Sequence, residues 1–455
     1  MKTLIKNSII VSDGEAFQKD VLMEDERIVR MESDIAISHA DHWIDASGKY
    51  LLPGAIDAQV HFRDPGLTHK GDIYSESKAA AAGGVTSFID MPNTIPNAVT
   101  LDHWKHKYRI AKEKSLINYA FLLGINQSNI NDLNVEDVQG MLALTDDGLY
   151  FSGKGNLMAQ FPEALEQLFI HFPETIIALH CEDERMIEEN IEQTKLQYGE
   201  DIPFELHGAI RSASACYDAS KRCIDLAKKT GGRFHLLHVT SGMEMTLLNN
   251  QIPLKQKRIT AEVCVQNLLF CDEDYPMLGR KIKWNPSIKT AQDRDQLWEA
   301  LLDDRIDIIT TDHAPHTWEE KLGTYTQSLS GAPMIQHALP VLLDFVHQGK
   351  LTIEKVVEKM AHNPAVLYQI QDRGFIREGY YADLVLVDMH QKMTITDENI
   401  LYKCGWSPLE GRTLNARILQ TWVNGHLLFN EGSWNFSRLG LPLQKVGFES
   451  VAYSE

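Results

Sequence analysis

Positive charge is in short supply: 44 Lys and Arg stand against 63 Asp and Glu, a net charge of −19 over 455 residues. That balance argues against a nucleic-acid surface and fits a soluble protein. It leaves the substrate open, because one Arg or one bound metal can reverse the field inside a cleft. Long apolar runs are missing as well. No stretch approaches about 18 uninterrupted apolar residues, and the opening MKTLIKNSIIVSDGEAF is soon broken by Ser12, Asp13 and Gly14. Neither secretion nor membrane spanning is expected. The six cysteines (Cys181, Cys216, Cys223, Cys264, Cys271 and Cys404) include no C-x-x-C. They read as reduced thiols of a cytoplasmic protein. Neither G-x-G-x-x-G nor G-x-x-x-x-G-K-[ST] occurs, which argues against a doubly wound nucleotide-binding sheet.

What is present is ordinary globular material, 44% hydrophobic and 24% charged, enough for a large core. The first fifty residues form short strand-like pieces (TLIKNSIIV, DVLMEDERIVRM, HWIDASGKYLL) with turns at Asp13-Gly14 and Ser47-Gly48. The far end is similar, with ADLVLVDM, NARILQTWVNGHLLFNEG and a hairpin signal at Asn424-Gly425. Between them runs a different rhythm of apolar strand, polar tip and helical stretch. The strand candidates are GAIDAQVHF, GVTSFIDMPN, INYAFLLGI, GMLALTDDG, TIIALHCED, RFHLLHVTS, RITAEVCVQ and IDIITTDHAPH. Helical segments such as SESKAAAAGG and SACYDASKRCIDLAKKTGG lie between most of them. Eight such units predict an α/β fold, a (β/α)8 TIM-like barrel, which typically needs about 250 residues. The expected organisation is a barrel over residues 54–370, with a small β-sandwich built from residues 1–53 and 371–455.

The chemistry of a barrel sits at the C-terminal ends of its strands. Here those tips carry His61, Asn93, Asp146-Asp147, His180, His238 and Asp312, with His316 just beyond. Imidazoles and carboxylates ending separate strands suit zinc or a similar divalent ion. A hydroxide held by such ions is a nucleophile at neutral pH. In TDDG, strand alternation sends only one Asp inward, and the spacing does not say which. His235, three residues before His238, should face the other side of its strand and reads as structural. Many metal-dependent hydrolases carry His-x-His at the end of the first strand, whereas this chain has Gln59 in the first position.

In order, GAIDAQVHFRDPGLTHKGDI, MPNT, TDDG, HCED, LHVTS, AEV, NPSIKT and TTDHAPH resemble the amidohydrolase superfamily, and within it the class I bacterial dihydroorotases. GFIREGYYADLVLVD and SPLEG extend the resemblance into the split β domain. The resemblance implies a binuclear zinc barrel that interconverts N-carbamoyl-L-aspartate and L-dihydroorotate in pyrimidine synthesis. On that pattern His61 and Asp312 belong to the first metal, Asp147 bridges, and His180 and His238 hold the other. Asp312 also shuttles the proton. Arg63, Asn93, Asn285 and His316 match groups that grip the substrate, and Ser330-Gly331 falls where the family's mobile substrate-contacting loop lies. Gln59 is a weaker ligand than imidazole, so one or two zinc ions in unequal sites are expected. Gln266 and Asn267 also stand where the family commonly shows a His pair.

Hydantoinases, dihydropyrimidinases and allantoinases share the fold but bridge their metals with a carboxylated lysine on the fourth strand. This fourth strand has none; Lys154 comes later, in a Gly-rich loop, and reads as a solvated cation. Together with Arg63, whose planar fork suits a carboxylate, this favours dihydroorotase over those cyclic-amide hydrolases. A third reading is a catalytically silent homologue partnering aspartate carbamoyltransferase, against which the retained ligands argue. The sequence leaves a homodimer open.

Overall fold

The computed structural model describes residues 1–149 and 158–448, so Lys154 lies outside the described residues. Eight parallel strands form the barrel: Ala55–Val60, Val85–Asp90, Asn118–Phe121 continued by Leu123–Gly124, Leu144–Thr145, Ile176–Leu179, Arg233–Leu236, Ile259–Cys264 and Ile308–Thr310. The eighth strand returns to the first through a bridge between Val60 and His313, where the His61 N–H donates to the His313 carbonyl at 2.8 Å. All eight expected strands are present. The fourth is only two residues long, because the chain breaks into the TDDG turn at once.

Alternation along the strands divides the apolar side chains between two cores. Ile56, Ala58, Ile89, Met91, Ala120 and Leu122 belong to an inner cluster, while Val85, Phe88, Tyr119 and Phe121 face the helices. Local chemistry sets the helix ends. Ile73–Ala82 starts at Asp72, which forms a capping box with Ser75, and its Ala79, Ala80 and Ala81 pack closely on the sheet. Ala213–Thr230 starts at Ser212, whose side chain accepts from the Ala215 N–H, and ends at Gly231 with φ 74°. A left-handed glycine is the usual way to stop a helix. Among the described residues no helix is long and apolar enough to cross a membrane.

The two ends of the chain meet in one nine-stranded sheet. Leu384–Asp388 pairs antiparallel with Tyr50–Pro53, which pairs in turn with Lys2–Ser12. Asp13-Gly14 and Asn424-Gly425 are tight hairpin turns, all four residues at positive φ as a twisted two-residue connection requires. The sheet folds back on itself: the edge strand Arg27–Glu32 exchanges backbone bonds with Gly379 and Tyr380. Ile5, Ile10, Val21, Leu51, Leu384 and Trp422 fill the space it encloses. Beyond this sheet the chain returns beneath the barrel, where the Leu441 carbonyl accepts from Tyr119 N–H and Leu443 joins the inner cluster. All six cysteines are free.

Candidate active site

The polar strand tips converge at one end of the barrel, and the backbone bends sharply to aim them. Arg63 (φ 69°), His238 (φ 32°) and Asp312 (φ 44°) all occupy the left-handed region. Side chains other than glycine rarely adopt it, and it costs about 1–3 kcal/mol per residue. Such strain concentrates where function demands geometry. Buried Asp57 on the first strand braces this region, accepting from the Thr311 N–H at 3.1 Å and the Thr311 hydroxyl at 2.5 Å, just before Asp312. Burial pushes its carboxyl up to about 7.

Two groups of donor atoms result. One comprises Asp147, His180 and His238, the other His61, Asp147 and Asp312; within each, the donor atoms lie within 4.8 Å of one another. Asp147 belongs to both. Its Oδ1 faces His180 Nδ1 at 3.7 Å and His238 Nε2 at 3.6 Å, and its Oδ2 faces His61 Nε2 at 3.3 Å. The adjacent Asp146 turns away, its oxygens accepting from the backbone N–H groups of His180 and Met158. The geometry thus decides between the two acids of TDDG. Gly148 permits that turn: its φ is 71°, and a Cβ there would lie 2.3 Å from the Asn93 amide nitrogen.

Partners behind the imidazoles fix which nitrogen faces the site. His61 Nδ1 donates to Asn93 Oδ1 at 2.7 Å, leaving Nε2 toward Asp312 Oδ1 at 3.0 Å. His180 Nε2 donates to Glu182 Oε2 at 2.7 Å, leaving Nδ1 toward His238 Nε2 at 3.0 Å. Arg211 grips Glu182 through Nε at 3.0 Å and through Nη2, and keeps its carboxyl well below the usual range despite burial. Burial disfavours charge on His61 and His180, but Asp147 with Asp312 and Asp147 with Glu182 outweigh it and push each imidazole up to about 9. Burial likewise opposes ionisation of Asp147, yet the three imidazoles hold it well below the usual range. Convergent nitrogens and carboxylates with this appetite for positive charge are the donor set a divalent ion takes.

Gln59 is fully buried in the same place. Its Nε2 donates to Asp147 Oδ2 at 3.1 Å, and its Oε1 faces the Cys264 thiol at 3.8 Å. Gln266 donates to the Thr311 carbonyl at 2.9 Å, just behind Asp312. His235 is held by Thr260 and Glu262 inside its strand pair.

The donor groups open into a narrow cleft lined by Asn93, Arg63, Asn285, Ser330 and Gly331, and beyond it into a cavity of about 480 Å³. Arg63, Asn93 and Gly148 line both. His316 lines the outer cavity, with Nε2 3.4 Å from Arg63 Nη2. Asn285 Oδ1 and the neighbouring Trp284 Nε1 are buried without a partner among the described residues. The Ser330-Gly331 segment is tied down: Gly331 N–H donates to the Lys283 carbonyl at 2.8 Å, and Lys321 Nζ reaches the carbonyls of Leu329 and Gly331 at 2.6 and 2.7 Å. Sequence reasoning brought out no role for Glu182, Arg211, Lys70 or Trp284, although Glu182 stands inside HCED and Lys70 inside GLTHKGDI. Glu182 meets His180 within HCED, but Arg211 reaches it, and His316 reaches Lys70, from distant segments.

Comparison with known proteins agrees with this picture. The amidohydrolase family matches residues 50–428. Dihydroorotase from Carboxydothermus hydrogenoformans is 33% identical over 435 residues, covering 93% of this chain and 97% of the relative. That from Anoxybacillus flavithermus is 31% identical over 443 residues, covering 95% and 99%. Among solved structures, an L-hydantoinase (dihydropyrimidinase) from Arthrobacter aurescens superposes with a TM-score of 0.89 at 24% identity, covering 97% of this chain and 99% of its own. At that identity the likeness speaks for the fold alone. The chain belongs to the amidohydrolase family and is a metal-dependent cyclic-amide hydrolase.

Proposed function

We propose that this enzyme is a dihydroorotase, interconverting L-dihydroorotate and N-carbamoyl-L-aspartate in pyrimidine synthesis. The observation that carries the reading is Arg63, only 5% exposed and in no ion pair with a carboxylate among the described residues, at the junction of cleft and cavity. A buried guanidinium without a carboxylate of its own is suited to an anionic substrate. The curated relatives named dihydroorotase support the same assignment.

One or two zinc ions, held by Asp147, His180 and His238 and by His61, Asp147 and Asp312, would supply Lewis acidity and an activated water. The chain's own residues do the rest. Asp312, whose Oδ1 lies 3.0 Å from His61, takes a proton from the attacking water and returns it to the departing ring nitrogen. Arg63 and His316 hold the substrate carboxylate. Asn93, Asn285 and the Ser330-Gly331 backbone orient the ring. Glu182 and Arg211 keep His180 in the orientation that points Nδ1 inward. The molecule is proposed to act in the cytoplasm, with residues 54–370 as the catalytic barrel and residues 1–53 and 371–455 as the accessory β domain.

Arg63→Met tests the assignment. The KM for L-dihydroorotate should rise about tenfold or more, while that for dihydrouracil, which lacks the carboxylate, should change little or not at all. An unchanged KM for L-dihydroorotate would remove the main support for the reading.

A further inference from the structure

The outer cavity contains a lysine for which the proposed reaction has no role. Lys70 is 7% exposed and lines the cavity beside Arg63 and His316. Its Nζ lies 3.2 Å from His316 Nδ1 and 3.0 Å from Glu320 Oε1. On the other side of the ring, Nε2 lies 3.4 Å from Arg63 Nη2. Both nitrogens of one imidazole therefore face cationic donors. Burial, Arg63 and Lys70 keep the ring neutral against the pull of Glu320. A neutral imidazole has one acceptor nitrogen and one donor nitrogen, so it can accept from only one of the two cations.

Lys70 has the shorter contact, and its charge is balanced locally by Glu320. The Glu320 Oε2 accepts from the Thr317 N–H at 3.1 Å and lies 3.4 Å from His316 Nδ1, farther than Lys70 does. Arg63 has no such balancing carboxylate; its Nε donates to the Pro315 carbonyl at 3.2 Å. We propose that Lys70 is a positioning residue for substrate selection: by donating to Nδ1 it fixes the His316 proton on Nε2 and makes the ring a donor beside Arg63. Two donors facing each other at 3.4 Å repel. A carboxylate oxygen accepting from both turns that repulsion into two charge-assisted hydrogen bonds. A neutral cyclic amide offers no such anion, so the arrangement favours the acidic substrate over its uncharged analogues. The substrate named rests on the dihydroorotase reading; the tautomer does not.

The test is the imidazole 15N spectrum of the metal-loaded enzyme labelled at histidine, with His316 assigned by its loss in His316→Gln. The proton is expected on Nε2 in the unmodified enzyme and shifted toward Nδ1 in Lys70→Met. Lys70→Met should also raise KM for L-dihydroorotate about tenfold, the scale of one lost charged hydrogen bond, with a much smaller change in kcat. Lys70→Arg should restore most of the loss. Because Lys70→Met strands Glu320, the Lys70→Met/Glu320→Gln pair is measured beside it and should show the same tautomer. A proton on Nδ1 in the unmodified enzyme, or an unchanged tautomer in both variants, overturns the proposal. An enzyme that leaves dihydroorotate intact would defeat the functional reading instead, and the spectrum, which needs no substrate, would still decide the role of Lys70.

Discussion

Gln59 lies between a carboxylate and a thiol, and these two neighbours orient its amide. A carboxylate only accepts, so the amide nitrogen must face Asp147 at 3.1 Å and the amide oxygen must face the Cys264 thiol. Gln59 therefore presents a donor to the site where a ligand would present a lone pair. The group formed by His61, Asp147 and Asp312 should hold metal more weakly than the group around His180 and His238. Gln59→His should raise the metal content of purified protein and slow its loss to a chelator, as followed by elemental analysis. Asp312→Asn should lower kcat by about two to four orders of magnitude, the usual worth of a general acid–base group, while the thermal midpoint stays near that of the parent. Much at this scale is legible in sequence, because His and Asp residues closing several separate strands of a barrel meet at its mouth. The choice between Asp146 and Asp147 is not legible in the strand pattern, since the pleat alternates whichever way the strand begins; only the family resemblance points to Asp147. Glu182 meets His180 only two residues away, but the Arg211 that fixes its charge comes from 29 residues on, and Lys70 acts on His316 from 246 residues away, so no short pattern marks either role.

At the level of loops and strands, the site depends on turns that only certain residues permit. Gly148 combines a φ of 71° with an approach so close that an added Cβ would meet the Asn93 side chain. Gly148→Ala should destabilise the fold by about 1–3 kcal/mol and displace Asn93 from His61, lowering the thermal midpoint and activity together; an unchanged midpoint would mean the turn can relax. The segment before Gly331 looks like a mobile loop by resemblance, yet here two lysines, Lys283 and Lys321, bind its carbonyls from the inside. No sequence pattern announces such anchors, because a lysine in a polar stretch normally points to water. Hairpins, by contrast, are written locally: Asp13-Gly14 and Asn424-Gly425 supply the positive φ values their turns need.

At the scale of the whole molecule, the barrel follows from eight repeats of strand, polar tip and helix, and its closure brings His61 beside the His313 carbonyl. The accessory sheet was readable as strand-like ends, but its return past Gly379 and the passage of Leu443 beneath the barrel depend on contacts hundreds of residues apart. On the proposed function, this assembly opens an acidic six-membered cyclic amide. The most direct measurement is ring opening by the metal-loaded enzyme on L-dihydroorotate, dihydrouracil, hydantoin and allantoin in parallel. The expected kcat/KM for L-dihydroorotate is at least about a hundredfold above the others, because a buried site built for a charged group rejects substrates lacking it. Comparable or faster turnover of hydantoin or dihydrouracil, with little on L-dihydroorotate, would contradict it.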